Sequence, residues 1–420
     1  MMFTTVSNLT WFLVNNMQTP DGKTKIALLM FSPLSAGAGA EKFFVELAKN
    51  MADRGFDVDV VTLNQDSYKK YVRIMHAYYY LNIFKSIDFT VALRERDEDV
   101  VDKLGKARWV KASFSDLAKL LKSYHAVYVK NEILELLYLK LVGFKNQLPP
   151  IIIGVHTPIY YTMPGSFYTK LHNFVYTSFV YRILLQQARL VHVSNKFSFD
   201  LLERKYRIPC KLIYYPFGTK GTEAARQLDI AFDPKKINIA YIARICEQKG
   251  FSILVDFIKQ IQETPVYQGR LVLNIFGSGD PESNAVLRGF AAKLDCVRYF
   301  GHVENIYINW VLDRTDLLFS PSRWDVSPFN VLEAQARGVP VFALDIPGAA
   351  DIIENGETGV LAKDAQELFA EVRKYVDGKY NFVRVKIQEN LFAKFGSEKI
   401  YLELYDMFKQ VINKESGYGF

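Results

Sequence analysis

Four residues in the second half of the chain have the types and spacing to act on a charged, hydroxylated ligand. Arg244 and Lys249 lie five positions apart, and Asp325 and Glu333 eight apart. Arginine offers a planar fork and lysine a point charge, so the two cations can meet one diphosphate. An ionised carboxylate accepts several strong hydrogen bonds, so the two acids suit the hydroxyls of a sugar or ribose. Each residue also has a plain alternative, since loop cations are commonly solvated and acids early in a helix complement its dipole.

The element that must position them runs over 319–361, FSPSRWDVSPFNVLEAQARGVPVFALDIPGAADIIENGETGVL. An apolar run ends in the loop 320–326, where Asp325 lies. Ser327 followed by Pro328 has the chemistry of an N-cap and a first helical position. The helix carries Val331, Leu332, Ala334 and Ala336 on its apolar side, stops at Gly338, and leads through Pro340 into a buried strand, VFAL. The unpaired amides of Phe329, Asn330 and Val331 then point from the helix start and favour an anion. Together with Ser327 and Pro328 they form a diphosphate seat with acceptor groups beside it.

Ser-Pro-Ser, an acid, seven residues, Glu-Ala, Gly-Val-Pro-Val, Pro-Gly and Asn-Gly-x-x-Gly together resemble the donor-site signature of glycosyltransferase family 4, the retaining GT-B sugar transferases. Ala243-Arg244 followed by Lys249-Gly250 is similar to that family's Gly-Arg-x-x-x-x-Lys-Gly motif. The chain departs from the pattern at Ala243 for Gly, Asp325 for Glu and Asp351 for Glu. The resemblance implies two Rossmann-like doubly wound α/β domains facing across a cleft. It also implies Glu333 on the ribose, Asp325 on the donor sugar, and His156 on the donor-sugar or acceptor side.

Read in order, 25–31 is a buried strand, 32–40 a loop with Gly37 and Gly39, 41–54 a helix and 58–63 a second strand, a βαβ unit. The glycine pair lacks the full dinucleotide fingerprint. In the family it resembles, such a loop lets backbone approach the donor phosphates. Segment 66–90 is basic and aromatic at helical spacing and 160–187 is again aromatic and helical, both suited to packing or to a membrane surface. Strand 151–155 ends in His156, and ligands of open parallel sheets bind beyond strand carboxyl ends. The segment 211–218, KLIYYPFG, resembles the family's hinge. Strand 271–276 ends at Gly277, expected to back the nucleotide. These features predict a tail at 1–22, a first domain at 23–218, a linker at 219–236, a donor domain at 237–395 and a helix at 396–420 crossing back.

At 420 residues the chain suits two cores, and 50% hydrophobic with 23% charged residues is globular rather than disordered. A net charge of +7 fits anionic ligands or an anionic membrane surface and is too mild to argue for nucleic acid. Cys210, Cys246 and Cys296 have neither metal-ligand nor disulfide spacing, which points to a reducing cytosol. No signal peptide and no run of spanning length is evident. Two cations at the diphosphate make a metal unnecessary, and there is no Asp-x-Asp triplet to hold one, so no cofactor or metal is expected.

The reading is therefore retaining, metal-independent transfer of a sugar from a nucleotide-diphosphate sugar to a glycan, lipid-linked or other glycoconjugate acceptor. The expected setting is polysaccharide or glycolipid synthesis in the cytoplasm or at the membrane's inner face. A nucleotide-sugar epimerase of the same fold, and a carbohydrate- or membrane-binding protein that has lost catalysis, stay open as alternatives. An NAD-dependent dehydrogenase is disfavoured by the incomplete fingerprint.

Overall fold

The computed structural model describes residues 22–36, 39–80, 96–161, 167–218 and 226–413. They form two parallel sheets. The first contains β1 (Lys25–Leu29), β2 (Asp57–Leu63), β3 (Arg108–Ala112), β4 (Ala126–Lys130), β5 (Ile151–Val155), β6 (Leu190–Val193) and β7 (Cys210–Leu212), in the order β3-β2-β1-β4-β5-β6-β7. The second contains β8 (Ile237–Ile242), β9 (Leu271–Phe276), β10 (Val297–Gly301), β11 (Leu317–Ser320), β12 (Val341–Leu344) and β13 (Gly359–Ala362), in the order β10-β9-β8-β11-β12-β13. Strand order reverses between β1 and β4 and again between β8 and β11, which opens a crevice at each carboxyl edge.

Central strands such as KIALL and LVLNIF are buried along nearly their whole length because helices cover both faces. The helix Gly39–Asp53 buries Phe44, Leu47, Ala48 and Met51 on one side. Gly55, at φ +100, turns the chain back into β2. The edge strand β3 carries no clear sequence signal, since RWVKA is half-exposed and holds two cations. The aromatic segment after β5 is two helices, Phe167–Tyr176 and Phe179–Leu185, with Ser178 capping the second by accepting from Tyr181 N. In the helix Gln65–Tyr80, Tyr71 is buried in the first core, and residues 81–95 lie outside the described residues.

Leu228, Ile230 and Phe232 pack against Phe276 and Trp310 of the second sheet's flank. The last helix, Ser397–Asn413, buries Ile400, Leu404, Met407, Phe408 and Val411. Its Phe408 ring lies 6.0 Å from Phe56 and 6.0 Å from Tyr128 of the first domain. Burial of each such side chain contributes about 1.5–3 kcal/mol, so apolar packing of this helix, which continues the chain from the second domain, onto the first domain ties the two domains together. A polar tie joins them nearer the cleft, where Asp351 Oδ2 accepts from the Lys196 amide at 2.7 Å.

Candidate active site

The loops after β8 and β11, the start of helix Gly39–Asp53 and the end of β5 enclose a cavity of about 360 Å³ between the domains. Eight of the residues singled out in the sequence line it: Gly39, His156, Arg244, Lys249, Asp325, Ser327, Phe329 and Asn330. They come from both sheets, so no single local segment builds this site.

The loop carrying the cations is fixed by glycines at close approaches. A Cβ on Gly277, at φ +133, would fall 1.7 Å from the Ala243 carbonyl oxygen, and one on Gly250 2.1 Å from that of Pro321. Gly277 therefore stands directly behind the Arg244 loop. Ile245 N donates to Ser278 O at 3.0 Å and holds the two loops together. Arg244 is exposed, its Nη2 donating to Gln248 Oε1 at 3.0 Å. Lys249 is largely buried, with Nζ 2.5 Å from Asp325 Oδ2. Lys249 and Asp325 thus neutralise one another.

The helix after β11 spans Phe329–Ala336 with Pro328 at the N-cap position, one residue later than expected. Ser327 does not cap it. Its amide instead donates to Asp325 Oδ1 at 3.2 Å, so the acid two residues earlier takes over the turn. Pro328 is buried and has no side chain able to accept a hydrogen bond. Val331 is buried, and its amide closes on Pro328 O at 3.0 Å, which removes it from the expected anion seat. The seat is left to the amides of Phe329 and Asn330, with the Asn330 side chain anchored by donation to Ile242 O at 3.1 Å. Gly348 completes the support, because a Cβ there would meet the backbone oxygens of Val326 and Asp325 at 2.7 and 2.8 Å.

Glu333 lies one turn into the helix, outside the cavity lining and half-buried. Burial pushes its carboxyl up to about 7, and Lys42 of the first domain opposes that shift. Gly37 lies outside the described residues.

His156 reaches the cavity with both ring nitrogens engaged. His192 Nε2 is 2.8 Å from the Ile213 carbonyl, which can only accept, so that nitrogen carries the proton. Burial pushes His192 down to about 4 and holds His156 well below the ordinary histidine range, so both rings are neutral. His192 Nδ1 must then accept from the Tyr128 hydroxyl at 2.8 Å. The Tyr128 oxygen in turn accepts from His156 Nε2 at 3.0 Å, and His156 Nδ1 accepts from the Tyr215 hydroxyl at 2.5 Å. One carbonyl therefore sets every tautomer in the chain. A Cβ on Gly154 would fall 1.9 Å from the Tyr128 hydroxyl oxygen, so only glycine leaves room for it. Sequence reasoning finds His156 and misses its partners: Tyr128 and His192 come from other strands at separations of 28 and 36 residues. Tyr215 and Trp324 also line the cavity, and no spacing rule marks either.

Two family models match the chain, Glycosyltransferase Family 4 over residues 37–218 and Glycosyl transferases group 1 over residues 236–377. A 41.2 kDa protein in the cps region of Klebsiella pneumoniae is 25% identical over 240 residues, 54% of this chain and 64% of that protein. The 2-deoxystreptamine N-acetyl-D-glucosaminyltransferase of Niallia circulans is 24% identical over 275 residues, 61% of this chain and 69% of the relative. Against glycogen synthase of Mycobacterium tuberculosis the match spans 38% of the relative's length, so the chain covers under two thirds of several curated relatives. Solved structures share the fold: Anabaena HepE in complex with UDP has a TM-score of 0.65 at 16% identity, over 92% of this chain and 100% of that one. Sucrose-phosphate synthase of Thermosynechococcus elongatus has 0.66 at 17%, over 93% and 99%. With two parallel sheets facing across a shared cavity and both halves matched, this chain belongs to the group 1 and Family 4 glycosyltransferases of GT-B fold.

Proposed function

We propose that the protein transfers a sugar, with retention and without a metal, from a nucleotide-diphosphate sugar to a glycan or lipid-linked acceptor. The observation that carries this is the convergence, in one interdomain cavity, of Arg244, Lys249, Asp325 and the start of helix Phe329–Ala336. In the transfer, the bond from the anomeric carbon to the diphosphate oxygen breaks and a bond to an acceptor hydroxyl oxygen forms. The hydroxyl proton passes to the departing phosphate oxygen. Positive charge builds on the sugar ring and negative charge on the diphosphate. Arg244, Lys249 and the Phe329 and Asn330 amides take up that negative charge, the role a divalent ion fills in other transferases. Asp325 accepts from hydroxyls of the sugar and Glu333 from those of the ribose. His156, with its nitrogens engaged by tyrosines, gives the sugar a rigid wall and its backbone oxygen. Retention rests on the family resemblance. The UDP held by the HepE structure makes a uridine donor the first candidate.

The test is thermal stabilisation by UDP-, GDP- and ADP-sugars in the presence of a chelator, with Arg244→Ala/Lys249→Ala alongside. A ligand at 100 times its dissociation constant adds about 2.7 kcal/mol, well within reach of a melting curve. The expected result is a shift for one base, lost in the double variant, and turnover whose product keeps the donor's anomeric configuration. A shift that requires added metal, or none with any donor, would overturn the proposal.

A further inference from the structure

We propose that one face of the first domain docks on an anionic lipid bilayer. The helix Ile133–Lys145, ILELLYLKLVGFK, is apolar nearly all round, a pattern expected of a helix covered on every side. Yet it leaves Leu137, Leu141 and Phe144 exposed along one stripe. The neighbouring helices Phe167–Tyr176 and Phe179–Leu185 add exposed Phe174, Phe179 and Val180. Phe144, Phe174 and Phe179, at 77%, 74% and 72%, are the most exposed large apolar side chains among the described residues. Gln187 Nε2 donates to Leu136 O at 3.0 Å and to Leu184 O at 2.7 Å, which ties the first helix to the third. An exposed apolar patch of this kind marks an interaction surface.

Charge names the partner. Residues 136–199 contain no Asp or Glu, although acids make up 45 of the 420 residues. The same stretch holds Lys140, Lys145, Lys170, Arg182, Arg189 and Lys196. Apolar side chains with cations and no acids match a bilayer bearing anionic headgroups, where aromatic rings enter the interface and lysines meet phosphates. Among the described residues no helix is long and apolar enough to cross a membrane, so the contact is peripheral. The face also adjoins the cleft. The Tyr161 ring lies 4.5 Å from His172, on the helix that exposes Phe174, and 4.6 Å from Trp324 in the cavity wall. If the proposed transfer holds, its acceptor is a lipid-linked sugar or glycolipid drawn from that surface, and this last step alone rests on that reading.

The experiment is co-sedimentation of the full chain with vesicles of phosphatidylcholine alone, or of equal parts phosphatidylcholine and phosphatidylglycerol. Two variants accompany it, Phe144→Asp/Phe174→Asp/Phe179→Asp and Lys145→Gln/Lys170→Gln. Selective binding to the anionic vesicles that weakens with salt is expected. The lysine variant should bind roughly 25-fold more weakly, at about fivefold per lysine. The phenylalanine variant should lose binding while keeping the parent's melting temperature and nucleotide-dependent shift. Equal binding to both vesicles, or undiminished binding of the phenylalanine variant, would overturn the proposal. So would a self-association that this variant abolishes in the absence of vesicle binding, which would give the face to a second copy. Nucleotide-dependent stabilisation is read separately, so a failed vesicle assay leaves the donor-site reading standing.

Discussion

Replacing Asp325 by Asn is expected to tighten binding of a nucleoside diphosphate while slowing sugar transfer. Asp325 Oδ2 sits 2.5 Å from Lys249 Nζ, and the two side chains are 15% (Lys249) and 17% (Asp325) exposed. Opposite charges about 4 Å apart in such a half-screened setting attract by roughly 4 kcal/mol before solvation is counted. A charged hydrogen bond retains about 1.5–3 kcal/mol of that as net stabilisation. A diphosphate that needs Lys249 must share the ammonium with this carboxylate, and the carboxylate also repels it. Asn keeps an oxygen for the Ser327 amide, bonded in the parent at 3.2 Å, and removes the competing charge. Recovery of even half the lower figure tightens binding by a factor of about three, and recovery of the full lower figure by about tenfold. Transfer should fall by about 100-fold, because a neutral amide holds the donor sugar's hydroxyls less strongly as charge develops. Calorimetric titration of UDP, GDP and ADP into parent and variant measures the first effect, and nucleotide release from the sugar donor the second. A Lys249→Ala background should erase the gain, since the two residues act as a pair. Weaker or unchanged diphosphate binding by Asp325→Asn would refute the argument and make Asp325 a positioning residue for Lys249.

Gly154→Ala should destabilise the first domain by about 2–3 kcal/mol, because its Cβ would fall 1.9 Å from the Tyr128 hydroxyl oxygen in a packed core; denaturant midpoints measure this, and an unchanged midpoint would show that the tyrosine has room to move. Glu333 is held at about 7 by burial, above its unfolded value, so the folded state binds the extra proton. Its effect on stability should grow less favourable as pH rises from about 4.5 to 7, by at most about 3 kcal/mol. Glu333→Gln should flatten that slope in denaturant unfolding, and a slope identical to the parent's would place the titration elsewhere. Donor binding that uses the ionised carboxylate should correspondingly strengthen as pH passes 7.

Elements with strong local signals are legible in the amino-acid sequence itself. The largely apolar runs at 151–155 and 271–276 form strands with those bounds, since burial on both faces of a parallel sheet leaves an unmistakable pattern. The half-exposed edge strand β3 leaves none. A serine before a proline is the usual cap signal and sets the helix start after β11 one residue early, because the competing Asp325 carboxylate is visible only in three dimensions. Position after a strand singles out Gly277, and the reason that only glycine fits there, a φ of +133 and the Ala243 oxygen 1.7 Å from its missing Cβ, emerges only in three dimensions.

The chain alone determined that there are two doubly wound halves, and it singled out the cations and acids of the second half on which the proposed donor site rests. Those facts reside in apolar periodicity, helix-start chemistry and motif spacing, all of which act over a few to a few tens of residues. Tertiary structure alone decided that Lys249 is paired with Asp325 across 76 positions. It likewise set His156 in a fixed tautomer through Tyr128, His192 and Tyr215, and left Phe144, Phe174 and Phe179 of neighbouring helices exposed. Such pairings depend on which strands lie side by side and which side chains share a low-dielectric pocket, and sequence separation carries neither.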